Sequence, residues 1–152
     1  KYSNKIVLPL DAICAKEISE TAKTKLCAIN EFDLDDIGLD IGPNTIEVFK
    51  KYIAKAGSIF MNGTMGLSEY EIFKNGTFKI FEALNGKNVI IGGGDTAGQV
   101  KKMGFNDFKH ISTGGGESLE YLEGRDLPGL VAINEWWDVI WRKKIQNLIT
   151  YY

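Results

Sequence analysis

The chain has 152 residues and a mass of 16.9 kDa, about the size of a single domain. Hydrophobic residues make up 44% of it, charged residues make up 25%, and the formal net charge is -2. This composition is ordinary for a soluble globular protein, and it lacks the basic field that binding to nucleic acid or to an acidic membrane requires. No apolar run approaches the roughly 18 residues of a membrane-spanning helix.

The N-terminal segment and the two cysteines indicate where the protein works. The first residues, KYSNKIVLPLDAIC, include an apolar stretch, but no small-residue cleavage site follows a basic leader. They therefore predict a strand and not a signal peptide. Cys14 and Cys27 have no metal-binding spacing, and two cysteines make no disulfide framework. We expect buried, reduced thiols and a cytoplasmic location.

The first part of the chain contains two predicted strands and an acidic loop. Lys5–Asp11 is β-branched and apolar, which predicts a buried strand, and Lys25–Ile29 is a second, shorter candidate. Glu31–Asp36 (EFDLDD) lacks the glycine and the terminal glutamate of a calcium loop, so it is predicted to be solvated surface. This loop leads into the motif GLDIGP at Gly38–Pro43.

From Pro43 onward, helices and strands alternate. Pro43 suits the first position of a helix, apolar residues recur at helical spacing after it, and Gly57 ends it. A strand is predicted at Ser58–Met61. The remaining predicted elements are a short helix at Glu71–Phe73, a break at Asn75–Gly76, a helix at Thr77–Leu84, a strand at Asn88–Ile91, a helix at Asp95–Met103, a strand at Lys109–Ser112 and a helix at Glu117–Leu122. This alternation predicts an α/β fold with a doubly wound, mostly parallel, Rossmann-like sheet in a three-layer αβα arrangement.

Glycine-bearing turns follow three of the predicted strands, at Met61–Gly66 (MNGTMG), Ile91–Thr96 (IGGGDT) and Ser112–Ser118 (STGGGES). In a parallel sheet these turns lie at one edge, at the carboxyl ends of the strands, where open α/β sheets bind ligands. Glycines let the backbone approach a ligand closely, and the helices that follow present unpaired N–H groups to an anion. A phosphorylated ligand is therefore predicted, and Asp95 beside the glycines indicates Mg²⁺ between its carboxylate and the phosphates.

Chain reversal alone is the alternative explanation, because glycine serves many turns after strands. Neither glycine-rich turn matches a Walker loop, since no G-K-[ST] follows, and neither matches G-x-G-x-x-G. The residues of the turns by themselves leave both interpretations open.

The ordered motifs GLDIGP, NGTMG, IGGGDTA and HISTGGGESLEYLEG–LPG resemble the phosphoglycerate kinase family, from about Ile6 to Leu130. The corresponding family stretches usually read GLDIGP, WNGPMGVFE, IGGGDTA and HISTGGGASLELLEGK–LPG. The resemblance implies reversible phosphoryl transfer between 1,3-bisphosphoglycerate and ADP, a glycolytic reaction that depends on positioning and charge stabilisation. It also implies ATP or ADP with Mg²⁺ as ligands, and 3-phosphoglycerate as the other substrate of the complete enzyme.

The resemblance also implies roles for particular residues. The residues beside the adenine would be Gly38 and Leu39, and those beside the rest of the nucleotide would be Asn62, Gly63 and Thr64. Glu69 would form hydrogen bonds with the ribose hydroxyls. Those at the phosphates would be Gly92, Gly93, Gly94, Asp95 and Thr96, with Asp95 acting through Mg²⁺. Gly114, Gly115 and Gly116 would surround the transferred phosphoryl group with backbone N–H groups. The implied catalytic residues are Gly93, Gly115 and Gly116.

The chain departs from the family pattern at several positions. Met61 and Thr64 stand where the family has Trp and Pro, and Ser68 stands for a Phe, which loosens the adenine-side wall. Glu117 replaces a small residue beside the transfer site, where its charge opposes an incoming phosphate. The family's acid-binding N-terminal domain and the first βα units of its nucleotide domain are not in this sequence. We therefore expect a sheet that is incomplete on its N-terminal side, and a chain that is inactive until a missing half or a partner chain completes it.

A tryptophan-rich tail follows the resemblance, so we divide the sequence into a kinase-type domain at 1–131 and a tail at 132–152. Apolar residues in the tail recur at helical spacing from Ile133 to Ile149, which predicts an amphipathic helix. This helix could dock on the chain itself, bind a partner, or lie at a membrane surface, and a cluster of only three basic residues favours the membrane least.

Two functions remain open. The first is the nucleotide-binding part of a phosphoglycerate kinase, favoured by the intact IGGGDT and STGGG motifs. The second is a catalytically inactive, kinase-derived subunit that serves assembly through its tail, favoured by the altered adenine wall and Glu117.

Overall fold

In the computed structural model, which describes residues 3–134, the chain forms two compact units, Lys1–Thr113 and Gly114–Tyr152. The elements of the first unit are β1 (Asp11–Ala15), β2 (Lys25–Ala28), β3 (Ile37–Ile41), α1 (Pro43–Lys55), β4 (Ile59–Asn62), α2 (Asn75–Leu84), β5 (Val89–Gly92), α3 (Gly94–Lys102) and β6 (His110–Ser112), with short 3-10 helices at Ser3–Lys5 and Glu71–Phe73. In the second unit, α4 (Gly115–Leu122) is followed by helical residues 128–134. Most of the predicted tail helix lies outside the described residues.

The strands β4, β5 and β6 form a parallel sheet in that order, with Ile59 opposite Val89 and Ile90 opposite His110. Helix α2 connects β4 to β5, and α3 connects β5 to β6. This is the predicted alternation of strands and crossover helices, and the α/β fold class is confirmed.

The main hydrophobic core lies between this sheet and the helices α1, α2 and α3. On β5, Val89 and Ile91 are fully buried while Ile90 between them is 38% exposed, the period of two that a strand imposes. The buried members of the cluster are Ile41, Ile46, Met61, Ile80, Phe81, Leu84, Val89, Ile91 and Val100. Complete burial of one such side chain stabilises the fold by about 1.5–3 kcal/mol.

A second sheet is antiparallel, has the order β2-β1-β3, and was not predicted. Its central strand is β1, in which Ala12 lies opposite Cys27 of β2 and Ile41 of β3. The strand β3 overlaps the motif GLDIGP, where Gly38 and Asp40 lower the strand propensity. The low strand propensity of this segment is therefore why β3 was not predicted, although pairing with β1 stabilises it.

The predicted strand at Lys5–Asp11 is wrong, because β1 begins only at Asp11. The backbone N–H groups of Leu10 and Asp11 donate to the Thr45 hydroxyl of α1 at 2.9 and 3.0 Å, so they are not available to a neighbouring strand. Pro9 has no N–H group to offer a ladder. The apolar content of the segment was therefore a misleading signal.

Helix α1 begins at Pro43, as predicted, and is capped by a side chain from β1. The Asp11 carboxylate accepts the N–H groups of Asn44 at 3.0 Å and Thr45 at 2.8 Å, which have no partners within the helix. Burial opposes ionisation of Asp11, but the hydrogen bonds from Thr45 and Asn44 outweigh it and hold the pKa of this carboxyl below its ordinary value. Asp11 thus joins the antiparallel sheet to α1.

The acidic loop is exposed at Glu31–Asp35, as predicted, but the side chain of Asp36 is buried and several carboxylates of the loop are paired. The Asp36 side chain has no exposed surface, and the Lys25 ammonium lies 2.5 Å from Asp33 and 2.7 Å from Asp36. Lys16 lies 2.6 Å from Asp35. The three carboxylates approach within 4.8 Å of one another, and the two lysines compensate much of their charge. The loop is therefore an ion-pair network against β2.

Cys14 and Cys27 are free, buried thiols on β1 and β2, as the sequence predicted. Burial raises the pKa of the Cys14 thiol to about 12, and the adjacent Cys27 and Asp36 add to this effect. Because the thiolate is the reactive form, Cys14 is unreactive at neutral pH.

The described part of the second unit is helical. Helix α4 begins at Gly115, two residues before the predicted start, and the Ser118 hydroxyl donates to the Gly114 carbonyl. Arg125 pairs with Glu123 at 2.8 Å just after the helix. Among the helices of residues 3–134, none is both long enough and apolar enough to cross a bilayer.

Candidate functional site

Two of the predicted glycine turns meet at the carboxyl ends of β4 and β5. These strands are parallel neighbours, and Asn62 at the end of β4 lies opposite Gly92 at the end of β5. The Gly63 N–H donates to the Thr96 hydroxyl at 2.9 Å, which joins the turn after β4 to the first turn of α3. The structure thus brings these four predicted residues together.

Gly63 and Gly93 have backbone angles that favour glycine. The φ angle is +98° at Gly63 and +97° at Gly93, a region that other residues rarely adopt. A Cβ atom on Gly93 would also lie 2.8 Å from the side-chain oxygen of Asn62 and 3.4 Å from Thr96 Oγ1. Gly93 is therefore required both for the turn and for the close packing of the two turns.

Helix α3 begins at Gly94, directly after this turn, with Asp95 in its first turn. The first N–H groups of a helix have no partners within it and lie at the positive end of its dipole, so they attract anions. Asp95 is exposed and forms no ion pair within residues 3–134. Its carboxylate is thus available, and carboxylate oxygen is the ligand type that Mg²⁺ prefers. The predicted Mg²⁺ contact fits the residue that is present.

A cavity of about 610 Å³, here called the α3 cavity, lies between α3 and the loop that follows β4. Its lining residues are Thr64, Gly66, Leu67, Ser68, Glu69, Gly94, Asp95, Gly98, Gln99 and Lys102. Ligand pockets in proteins commonly have volumes of roughly 300–1,000 Å³. Four of the predicted residues, Thr64, Glu69, Gly94 and Asp95, therefore line one cavity of suitable size.

Gly38 and Leu39 line a different cavity, of about 360 Å³, which we call the β3 cavity. Thr64 lines both cavities, so the loop after β4 separates them. Leu39 is 3% exposed and belongs to a small core cluster, while Gly38 lies beside the ring of Phe32. The predicted adenine-side residues and Glu69 thus lie in separate cavities on either side of one loop. The sequence did not single out Phe32, which lies in the acidic loop.

The loop after β4 is held by β3 and α2. The Leu67 N–H donates to the Leu39 carbonyl at 2.9 Å, and the Met65 N–H donates to Thr77 Oγ1 at 3.1 Å. Gly66 lies so close to β3 that a Cβ atom there would be 2.6 Å from the Leu39 carbonyl oxygen. The position of the loop is therefore set by elements that contribute none of the residues predicted to lie at the phosphates.

Asp40 contributes to this arrangement and was not predicted as a site residue. It is 4% exposed, and its carboxylate accepts the N–H groups of Ile41 at 2.9 Å and Gly76 at 2.6 Å. Burial raises the pKa of Asp40 to about 6, although these two N–H groups act against the rise. Asn75 and Gly76, predicted as a break, instead open α2 because Asp40 stabilises its first turn. A carboxylate between Leu39 and Ile41 in an apolar stretch was the signal that could have identified it.

The third glycine turn lies in the second unit. Gly114 precedes α4, and Gly115 and Gly116 are its first residues, so their N–H groups belong to a helix N-terminus. Glu117 lies in the same first turn. A negative charge there stabilises the helix, whatever its effect on a ligand.

Known proteins are similar to this chain in both sequence and backbone. The family model described as phosphoglycerate kinase matches residues 1–125. A phosphoglycerate kinase of Dictyoglomus turgidum is 50% identical over 133 residues, which is 85% of this chain and 34% of that protein. One from Staphylococcus epidermidis is 48% identical over 136 residues, which is 87% of this chain and 34% of that protein. The chain therefore spans about a third of the length of these curated relatives.

Two solved structures are also similar. The phosphoglycerate kinase from Coxiella burnetii has a TM-score of 0.73 at 38% identity, over 78% of this chain and 32% of that one. The phosphoglycerate kinase from Pyrococcus horikoshii has a TM-score of 0.75 at 29% identity, over 88% of this chain and 34% of that one. With a family match that covers residues 1–125, the chain belongs to the phosphoglycerate kinase family.

Proposed function

We propose that this chain is the nucleotide-binding part of a phosphoglycerate kinase and that the rest of the enzyme must complete it. The reaction is the reversible transfer of a phosphoryl group between 1,3-bisphosphoglycerate and Mg-ADP, a glycolytic step that we place in the cytoplasm. The observation that carries the proposal is that Thr64, Glu69, Gly94 and Asp95 line one cavity at the N-terminus of α3.

The groups around the α3 cavity suit a nucleoside diphosphate. The free N–H groups of the first turn of α3 attract the phosphates, and Gly93 allows the backbone to approach them. Glu69, on the loop that forms the other wall, offers a carboxylate that accepts hydrogen bonds from ribose hydroxyls. Asp95 would hold Mg²⁺, which when bound neutralises charge on the phosphate oxygens.

In the same proposal, Gly115 and Gly116 give their N–H groups to the phosphoryl group during transfer. Phosphoryl transfer needs positioning and charge stabilisation more than it needs an acid or a base. Backbone N–H groups are fixed donors of this kind, and they need no rearrangement as charge develops.

The test is a calorimetric titration of Mg-ADP into the natural full-length protein. We expect binding that is lost in Asp95→Ala and retained in Glu47→Gln, a control on the exposed side of α1 outside both cavities. Failure of the parent protein to bind Mg-ADP, or equal binding by the Asp95→Ala variant, would contradict the proposal.

The rest of the kinase is also proposed to complete the parallel sheet beside β4. Among the described strands, β4 pairs only with β5, so its other edge has no strand partner. A cavity of about 440 Å³ with largely apolar lining adjoins it, and Tyr52, Ile53, Ile59 and Leu84 contribute to the lining. An open edge beside apolar surface is unfavourable in a parallel sheet, which is normally covered. We therefore expect this chain by itself to lack phosphotransferase activity.

Amide hydrogen exchange tests this completion directly. The β4 amides should exchange quickly in the isolated 152-residue chain and slowly in the natural full-length protein. The β5 amides, which are paired on both sides, are the internal control. Equal protection of β4 in the two samples would show that no strand is added there.

The alternative is a catalytically inactive, kinase-derived subunit that uses its open edge and its tail for assembly. The specific observation that favours it is the apolar cavity beside β4, which suits a protein partner as well as a missing strand. The two functions differ in the Mg-ADP titration, because a subunit kept only for assembly has no need to bind nucleotide.

A further inference from the structure

Two residues that line the α3 cavity each have a buried side-chain oxygen without a hydrogen-bond partner in residues 3–134. Ser68 is 2% exposed, and among the described residues neither its Oγ nor the Gln99 Oε1 has a partner. Buried polar atoms in native proteins are nearly always hydrogen-bonded, and the exceptions are concentrated where a ligand or water binds. Two such oxygens, both on residues that line one cavity, are therefore candidates for contact with a ligand in it.

The positions of these residues relate them to the proposed nucleotide site. Ser68 directly precedes Glu69 on the loop after β4, and Gln99 lies four residues, or about one helical turn, after Asp95 on α3. Gly98, which also lines the cavity, leaves open space where a Cβ atom would be. Ser68 and Gln99 thus come from the two walls that carry the proposed ribose and phosphate residues.

The hydrogen-bonding chemistry of the two side chains limits the class of ligand that can satisfy them. A serine hydroxyl donates and accepts, whereas the side-chain carbonyl oxygen of glutamine only accepts, so the pair requires a ligand group with an O–H or N–H donor. An ionised phosphate offers no such donor. The vicinal hydroxyls of ribose both donate and accept, and they can satisfy the two oxygens together.

We propose that Ser68 and Gln99 recognise the ribose hydroxyls, so that the α3 cavity selects a ribonucleotide over its deoxy analogues. This inference rests on the proposed function. Both oxygens are buried in the ligand-free chain, so the proposal includes a change of each side chain to another staggered rotamer when the ligand binds. Glu69 alone would bind a hydroxyl pair, and Ser68 and Gln99 increase the preference for a ribonucleotide over its deoxy analogues.

The experiment measures the affinities of Mg-ADP, Mg-2′-deoxy-ADP and Mg-3′-deoxy-ADP for the natural full-length protein. The variants are Ser68→Ala and Gln99→Leu, with Lys101→Ala as the control, an exposed residue of α3 that does not line the cavity. A neutral hydrogen bond contributes a factor of about 2–10 in affinity. We expect each variant to reduce the preference for ADP over at least one deoxy analogue by such a factor, mainly through weaker binding of ADP.

Two controls separate the possible outcomes. Mg-pyrophosphate carries no ribose, so its affinity should be the same in the parent protein and both variants. Because the Ser68 hydroxyl is unpartnered without ligand, Ser68→Ala should not lower the melting temperature of the ligand-free protein, whereas loss of a structural hydrogen bond would. Unchanged ribose preference in both variants, with Mg-ADP still bound by the parent, overturns this inference alone. A parent protein that binds no Mg-ADP overturns the proposed function and this inference together.

Discussion

Replacing Asp40 by asparagine should remove a pH dependence of stability that arises from one buried carboxyl group. Burial raises the pKa of Asp40 from 3.8 to about 6 in the folded protein. The difference of about 2 pH units corresponds to about 3 kcal/mol, since each unit is about 1.4 kcal/mol. Because the folded-state pKa is the higher one, the protonated form favours folding. This contribution is complete below about pH 4 and is lost as the pH rises through 6.

The substitution has a second effect that opposes the first at neutral pH. Asp40→Asn removes the buried charge, but an asparagine has one acceptor oxygen where the carboxylate has two. One of the two N–H groups, of Ile41 or Gly76, then loses its partner, at a cost of about 1–3 kcal/mol. We therefore expect the variant to be about 0–2 kcal/mol more stable than the parent at pH 7.5, and about 0–2 kcal/mol less stable at pH 4.5.

The assay is urea unfolding of the parent and the variant, followed by circular dichroism between pH 4.5 and 7.5. Subtracting the two free energies of unfolding at each pH cancels the titration of all shared groups. The difference should change by about 2 kcal/mol over this range, most of it between pH 4.5 and the folded-state pKa of about 6. A flat difference would refute the reasoning, because it would mean that Asp40 has an ordinary pKa in the folded protein.

Other substitutions test the remaining parts of the structure. Asp11→Ala removes the cap of α1 and should lower the free energy of unfolding by about 1–2 kcal/mol at pH 7. The loss should be smaller below pH 3.8, because the pKa of Asp11 is lowered on folding. Equal losses at both pH values would contradict the capping role. Gly93→Ala introduces a Cβ atom 2.8 Å from an oxygen of Asn62, at a φ angle of +97°. It should lower the free energy of unfolding by about 1–3 kcal/mol and weaken Mg-ADP binding in calorimetry more than Gly57→Ala, which has open space and lines neither the α3 nor the β3 cavity. Leu84→Ala, in the core, should lower the free energy of unfolding in urea by about 2–5 kcal/mol. A decrease below about 1 kcal/mol would mean that the core around Leu84 is not packed as described.

Local signals predicted much of the parallel part of the fold. Pro43 at a helix start, Gly57 after a helix and the alternation of apolar residues around Ile90 are properties of neighbouring residues. The predicted elements there differ from the observed ones by a few residues at most. Such signals act within one turn or one strand, which is why α1, β4, β5 and α3 could be recognised without knowing what they pack against.

The errors arose where distant residues decide the backbone. Leu10 and Asp11 bond to Thr45, 34 or 35 residues away, and Asp40 bonds to Gly76, 36 residues away. Neither pairing leaves a periodic pattern in the sequence. The prediction therefore placed a strand too early, missed β3, and put a break where α2 begins.

For the candidate site, the sequence by itself determined which turns have the local features that we propose to bind phosphate. Glycine at positive φ and a helix that starts directly afterwards are local properties, and the turn at Gly93 has both. Only the tertiary structure decided how the turns combine. The parallel register of β4 and β5 sets Gly63 against Thr96, and the anchoring of the intervening loop on β3 and α2 creates the α3 cavity. The buried, unpartnered oxygens of Ser68 and Gln99 exist only there, because burial depends on elements that are far apart in the chain.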